Sequence, residues 1–115
     1  MAFTAIQLRT IESILTLWKV SHRPDEEVRD KVDLDYTVKG QDIFLEEIRP
    51  VYRNPGEIGR YPFAKIKFEK STGLWKIYWM RGNLKWYPYE PKPQVGNLDL
   101  ALEEIMKDPY HCFFW

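Results

Sequence analysis

The fold is decided by residues 62–81, which read PFAKIKFEKSTGLWKIYWMR. Apolar and polar residues alternate on both sides of the Ser-Thr-Gly segment at positions 71–73, and this period of two is typical of half-buried strands. One face would carry Ala64, Ile66 and Phe68 before the turn and Trp75, Ile77 and Trp79 after it. The stretch therefore predicts an antiparallel hairpin, with strands over residues 62–70 and 74–81.

The same alternation predicts a second hairpin on the N-terminal side. Apolar residues occupy every second position over residues 32–39, and Lys39-Gly40-Gln41 supplies a turn. Residues 42–49 then form the partner strand. We expect Pro50 to end this strand and residues 54–56, Asn-Pro-Gly, to form a loop.

Helices are predicted at both ends of the strand region. Thr4 and Gln7 have the spacing of a capping box, and apolar residues with helical spacing follow, so a helix should run from Thr4 to about Ser21. A last helix should begin near Asn97, a good N-cap, and stop before Pro109.

The remaining segments complete one α+β domain over residues 1–115. Residues 84–89 predict a short strand that the prolines at 88, 91 and 93 confine to a sheet edge. Residues 111–115 are apolar enough to pack on the body. The order is an N-terminal helix, an antiparallel meander of four to five strands, and a C-terminal helix packed on the sheet.

Length and composition exclude several classes of protein. The 115 residues suffice for one domain, 16% are aromatic, and 17 basic residues balance 17 acidic ones. A single cysteine, Cys112, excludes an internal disulfide and a multi-thiolate zinc site. We find no signal peptide and no apolar run of about 18 residues, so we expect a cytoplasmic protein with no membrane partner.

The neutral total conceals a segregation of charge. Residues 60–92 hold eight basic and two acidic residues, a net charge of +6, and nine of the eighteen aromatic residues. Single-stranded nucleic acid binds where cations meet phosphates and aromatic rings meet bases. The candidate nucleic-acid-binding residues are Lys65, Lys67, Lys76 and Tyr78, on the face away from Trp75 and Trp79. The alternative is a solvated strand face without a ligand.

A second constellation is acidic. Asp33 and Asp35 project to one face of a strand, and Glu47-Ile48-Arg49 follows on its partner. Metal-dependent nucleases use two carboxylates to hold Mg²⁺ and a cation to steady the attacking water. Exposed acids that merely solvate a strand are the alternative.

A third constellation is cationic and aromatic. Arg49 and Arg81 each end a strand beside a turn or a proline. If these ends meet, their guanidiniums would lie near Glu47, Lys85 and Trp86 and form a corner suited to a small anionic ligand. The alternative is an Arg–Glu pair that locks the sheet ends.

The sequence also resembles a known family. The motifs are Trp75-Lys76-Ile77-Tyr78-Trp79-Met80-Arg81, Leu84-Lys85-Trp86, Tyr89-Glu90-Pro91, Asp33-Leu34, Glu47-Ile48-Arg49-Pro50, Pro62-Phe63-Ala64-Lys65 and the closing Asp108-Pro109 with Cys112-Phe113. They resemble a family of small bacterial proteins that share a domain of unknown function, from about Arg23 to the end. The resemblance implies a bacterial origin and a family pattern that includes Glu47, Arg49, Arg81, Lys85 and Trp86. The chain departs from that pattern at Asn83, where an acid is expected, and at Tyr87, where a histidine is common.

These observations favour a binding module over an enzyme. We predict contact with single-stranded nucleic acid or a small anion through the basic, aromatic-rich sheet region, and no catalytic residue, metal or cofactor. The alternatives are a nuclease-like enzyme and a structural protein that forms a homodimer through strand edges or the apolar tail.

Overall fold

A computed structural model describes residues 3–113 and confirms the α+β class. In chain order its elements are helix α1 (Ala5–His22), a one-turn 3₁₀ helix (Glu26–Val28), strands β1 (Asp33–Lys39), β2 (Asp42–Val51), β3 (Asn54–Glu69), β4 (Leu74–Met80), β5 (Trp86–Pro88) and β6 (Gln94–Val95), and helix α2 (Leu98–Lys107). None of the helices among these residues is long and apolar enough to cross a membrane.

The strands form one antiparallel meander. Their order in the sheet is β1-β2-β3-β4-β5, and the short β6 pairs with β4. The hairpin between β3 and β4 has the predicted register, since Ile66 lies opposite Ile77 and Lys65 opposite Tyr78. Local alternation is enough to fix this register, because a shift of one residue would turn every apolar side chain towards solvent.

Both helices pack on the same face of the sheet. Thr4 and Gln7 form the predicted capping box of α1, and the side chain of Asn97 accepts a hydrogen bond from the backbone N–H of Leu100 at the start of α2. The core between helices and sheet contains Ile11, Leu15, Trp18, Ile43, Leu45, Ala64, Ile66, Ile77, Leu98, Ala101, Leu102 and Ile105. The opposite face, which we call the outer face, carries Phe44, Lys65, Lys67, Lys76, Tyr78 and Trp86.

The described part of the C-terminal tail packs on the body, as predicted. Asp108 has a left-handed φ of 43° and accepts hydrogen bonds from the backbone N–H groups of Cys112 and Phe113. The ring of Phe113 is buried 5.1 Å from that of Tyr89. Residues 114–115 belong to the same prediction but lie outside the described residues.

The predicted loop at residues 54–56 is wrong. β2 continues past Pro50 to Val51, and β3 begins at Asn54 rather than Pro62, so that Pro50 lies opposite Ile58. Pro50 is tolerated because the first residue of β1, Asp33, lies opposite Ile48, so β1 does not reach Pro50. The proline nitrogen points to this side of β2, where no strand requires a backbone N–H. Residues 49–60 thus form a two-stranded extension of the sheet, which we call the ribbon.

The strand predicted over residues 84–89 is also shorter than expected. β5 contains only Trp86–Pro88, because Leu84 adopts a left-handed φ of 63° that no strand accommodates. β6 was not predicted, because its two residues are too few to show a periodicity.

Candidate anion-binding site

A concavity opens where β3 and β4 separate. β4 pairs with β3 only as far as Ala64, which lies opposite Trp79. Just beyond that pair, a bulge places Pro62 and Phe63 opposite the single residue Glu46 of β2. Bulges bend a strand and re-aim its side chains. β3 therefore leaves its neighbour here and continues into the ribbon.

The concavity has a volume of about 830 Å³. It is lined by Glu47, Arg49, Tyr61, Pro62, Phe63, Met80, Arg81, Gly82, Leu84 and Phe113. Three of the five residues proposed for the cationic corner, Glu47, Arg49 and Arg81, are thus brought together. They come from the ends of two strands that are not hydrogen-bonded to each other.

Arg49 is held by an aromatic ring on the ribbon. It lies opposite Gly59, and its guanidinium carbon sits 4.1 Å from the centre of the Tyr61 ring. That ring leans along β3 over Gly59, where an added Cβ would lie only 2.7 Å from Tyr61 Cε2 and Oη. The absence of a side chain at Gly59 lets Tyr61 lie flat, and Tyr61 in turn supports Arg49.

Arg81 is supported in the same way on the opposite side. Its guanidinium carbon lies 5.1 Å from the Trp79 ring and 4.8 Å from the Tyr87 ring. Tyr87 is fixed by the side-chain amide of Asn83, which donates a hydrogen bond of 2.7 Å to its hydroxyl. Asn83 and Tyr87, the two positions at which the resemblance led us to expect other residues, therefore contact each other.

The two guanidiniums are not neutralised by the described chain. Within residues 3–113, neither Arg49 nor Arg81 forms an ion pair with a carboxylate, and Glu47 forms none with a cation. The predicted Arg–Glu lock is thus not formed among these residues. Two cations and one carboxylate leave the lining with a formal net charge of +1.

Lys85 and Trp86 do not join this site. Trp86 lies opposite Met80, and its ring packs 6.0 Å from that of Phe44 on the outer face. The side chain of Lys85 is exposed and does not line the concavity. Trp86 points away from the concavity because successive residues of a strand face opposite sides, so that Tyr87 rather than Trp86 faces Arg81. Lys85 precedes β5, and only its backbone contacts Arg81, whose N–H donates a hydrogen bond to the Lys85 C=O.

The other predicted basic residues lie together on the outer face. Lys65 lies opposite Tyr78 and Lys67 opposite Lys76, so all four side chains share this face. The ammonium group of Lys65 lies 5.3 Å from the Tyr78 ring and 6.0 Å from that of Phe44. Lys76 is paired with Glu69 at 2.6 Å, which reduces the positive charge available to a ligand.

The acidic constellation does not assemble into a nuclease site. Arg23 pairs with Asp33, while Lys19 and Arg60 both pair with Asp35. Burial raises the pKa of each aspartate, but hydrogen bonds and the nearby cations outweigh it and leave both pKa values below the ordinary one.

Glu47 cannot complete a triad with these aspartates. It lies opposite Leu34 and therefore faces the other side of the sheet from both of them. In the described part of the chain, no three acidic, histidine or cysteine side chains are grouped closely enough to hold a metal ion.

Sequence reasoning missed the aromatic residues that support the arginines. The sequence analysis places Trp79 and Tyr87 in strands without a role at the site, and it assigns Gly59 and Tyr61 to no element. The signal in the sequence was a glycine followed two positions later by an aromatic residue, Gly59-Arg60-Tyr61, since residues two apart on a strand share a face. Reading that signal requires knowing that β3 extends through it.

The fold and the site together define an α+β domain in which helices cover one face of an antiparallel meander. A concavity with two arginines lies where two of its central strands part. The chain belongs to the family described as Domain of unknown function (DUF3024), whose model matches residues 3–115. Comparison with curated proteins and with solved structures gives no match.

Proposed function

We propose that this protein is a binding module that holds a small anionic ligand, carrying a carboxylate or a phosphate, in the concavity between β3 and β4. The observation that carries the proposal is the pair of guanidiniums, Arg49 and Arg81, that line one concavity without a carboxylate partner in the described chain. Glu47 lies on the same lining, yet it forms an ion pair with neither arginine.

Stacking prepares these arginines for an anion. A guanidinium that lies over an aromatic ring loses freedom about its long side chain, while the N–H donors in its plane stay free. Such donors form paired hydrogen bonds to carboxylate or phosphate oxygens. The rings of Tyr61, Trp79 and Tyr87 thus hold Arg49 and Arg81 in orientations that suit a planar or tetrahedral anion.

The remaining lining suits an apolar body attached to the anion. Phe63, Met80, Leu84 and Phe113 contribute apolar surface, and Phe63 and Phe113 are buried. A volume of about 830 Å³ lies within the range of small-molecule sites, which combine apolar walls with a few placed polar groups.

The proposal is tested by nuclear magnetic resonance with pyrophosphate and citrate as probes. We expect the side-chain Nε–H signals of Arg49 and Arg81 to shift in a saturable manner when either anion is added. Arg49→Gln and Arg81→Gln should each weaken the titration by about ten-fold or more, because a charged hydrogen bond contributes roughly 1.5–3 kcal/mol.

Arg53→Gln is the matched control. Arg53 is an exposed arginine in the turn of the ribbon and does not line the concavity, so this variant should bind both probes as the wild type does. The proposal fails if the three variants weaken the titration equally, or if neither Arg49 nor Arg81 responds at millimolar pyrophosphate in low salt.

A second candidate function is contact with single-stranded nucleic acid on the outer face. It is favoured by the Lys65 ammonium, which lies 6.0 Å from the Phe44 ring and 5.3 Å from the Tyr78 ring, and by the Trp86 ring, which lies 6.0 Å from that of Phe44. No helix of residues 3–113 packs on this face. Rings that are accessible beside a cation suit stacked bases and the phosphates between them.

A tryptophan-fluorescence titration with mixed-sequence single-stranded DNA and RNA tests this candidate. Binding should quench the emission, weaken as salt rises, and decrease in Lys65→Gln, whereas Lys31→Gln, a distant exposed lysine, should have no specific effect. If the fluorescence does not change at low salt, the outer face does not bind single-stranded nucleic acid, and the anion-binding proposal for the concavity is not affected.

A further inference from the structure

We infer that the ligand of the concavity is an acidic side chain of an extended peptide whose backbone pairs with the unpaired edge of β3. The inference rests on the proposed function, since it takes the two arginines as an anion site and adds the class of molecule that carries the anion. The inference also uses an observation that is independent of the arginines. A long stretch of β3 has no neighbouring strand on one side among the described residues.

The free edge of β3 follows from the register. β2 pairs with β3 on one side from Asp42 to Val51, whereas β4 pairs on the other side only up to Ala64. From Asn54 to Pro62, the side of β3 that faces away from β2 has no strand beside it in the described chain.

This edge presents backbone groups that can pair. Glu47 and Arg49 of β2 face β3 and pair with Tyr61 and Gly59, so the intervening Arg60 directs its N–H and C=O away from β2. Ile58 does the same one step further along. Unpaired backbone groups on a long exposed edge are the template to which extended peptides add a strand.

The free edge and the two arginines belong to one continuous surface. Tyr61 and Pro62 lie on the part of β3 that has no neighbouring strand on this side in the described chain, and both also line the concavity. A strand placed along the edge therefore reaches the concavity at the end near Arg81, where β4 stops. The side chain of Ile58, which is 58% exposed, offers apolar contact at the other end.

Charge and direction specify the peptide. Two guanidiniums without a carboxylate partner in residues 3–113 favour an acidic side chain over a neutral one. Every strand pair in this sheet is antiparallel, and antiparallel pairs are slightly more stable per residue than parallel ones. An antiparallel peptide runs from the concavity towards the tip of the ribbon, so its acidic residue lies near its N-terminal end.

The test uses three six-residue peptides of alternating threonine and valine, acetylated and amidated so that their termini carry no charge. The first has glutamate at its second position, the second has glutamine there, and the third has glutamate at its fifth position. We expect the first to bind the full chain about ten-fold more tightly than either of the others. A difference of this size is what one hydrogen-bonded pair of opposite charges contributes to affinity.

Backbone pairing has its own measurement. Amide hydrogen exchange at Ile58 and Arg60 should slow by about ten-fold or more at saturation with the first peptide, because pairing removes these N–H groups from water. The same peptide methylated on alternate backbone nitrogens should neither bind nor protect them. Arg81→Gln should abolish the preference for glutamate over glutamine, and Arg53→Gln should retain it.

The outcomes separate this inference from the proposed function. If pyrophosphate shifts the Nε–H signals of Arg49 and Arg81 but no peptide protects Ile58 or Arg60, the peptide inference is overturned and the anion site stands. If neither pyrophosphate nor the peptides shift these signals, both fall. Protection that depends on protein concentration without peptide, with a dimeric mass, would show that a second copy pairs with this edge and would also overturn the inference.

Discussion

Gly59→Ala is the substitution that most directly probes how the site is built. The new Cβ would lie 2.7 Å from Cε2 and Oη of Tyr61 and 2.8 Å from Cζ. Carbon atoms pack best at about 3.5–4.0 Å, so the ring must move by about 1 Å. Because the Arg49 guanidinium lies 4.1 Å from the centre of that ring, Arg49 must move with it or lose its support.

The effect on stability should be small. Gly59 does not have a positive φ, so its backbone accepts alanine. Replacing glycine in a strand stabilises by about 0.5–1 kcal/mol, and losing an exposed cation–π contact costs about as much. We therefore expect the free energy of unfolding to change by less than about 1 kcal/mol, measured by urea denaturation.

The effect on binding should be larger. A displaced Arg49 no longer offers its paired donors to the anion, and pyrophosphate affinity measured by calorimetry should fall about ten-fold. Gly56→Ala is the matched control on the same strand, since the nearest atom to its added Cβ is Asn54 Oδ1 at 4.0 Å. If Gly59→Ala binds pyrophosphate as tightly as the wild type while Arg49→Gln does not, the reasoning that Tyr61 positions Arg49 is refuted.

Three further predictions concern the same protein. Arg81→Lys keeps the charge but loses the stacked fork, so pyrophosphate affinity should fall about ten-fold in calorimetry, whereas Arg53→Lys should leave it unchanged. Glu47→Gln removes the carboxylate from the lining and should strengthen pyrophosphate binding by about three-fold or more at low salt; an unchanged affinity would place Glu47 outside the field of the ligand. Burial raises the pKa of Asp33, but hydrogen bonds from Arg23 and a backbone N–H lower it by more, so the folded pKa lies below the ordinary value. Ionised Asp33 therefore stabilises the folded protein fully above the unfolded pKa of about 3.9, and this contribution is lost as pH falls through the lower folded pKa. Urea unfolding should accordingly show a deficit for Asp33→Asn at pH 7 that shrinks by pH 3, and a deficit that is equal at both pH values would contradict this assignment.

The elements that could be predicted are those whose causes are local. The capping box of Thr4 and Gln7 fixes the start of α1 within one turn of chain. Likewise, the turn at Gly73, with a φ of 71°, joins two strands whose alternation already sets the register. In both cases every residue that decides the outcome lies within a few positions of the others.

The ribbon could not be predicted because its cause lies elsewhere in the chain. A proline at position 50 ends a strand only when a neighbour needs its N–H, and here β1 begins opposite Ile48, so that no residue of β1 lies beside Pro50. Whether Pro50 breaks or continues β2 thus depends on where β1 begins, at Asp33. The residues around Pro50 do not indicate where β1 begins, so they cannot predict whether β2 continues past the proline.

The concavity depends on the same kind of distant relation. The sequence shows that Arg49 and Arg81 each end a predicted strand, but whether those ends meet depends on how the strands are arranged in the sheet. The identity of their supports was not predictable, since the bulge at Pro62 and Phe63 sets which side chains of β3 face Arg49. The register of β5, in which Tyr87 lies opposite Trp79, likewise sets that Tyr87 rather than Trp86 faces Arg81. A bulge or a change of register shifts the faces of a strand by one residue, and one residue separates a guanidinium stacked on a ring from one without support. The surface that we propose for this protein therefore lies where the meander is least regular, and periodicity alone predicts the sheet around it but not the site itself.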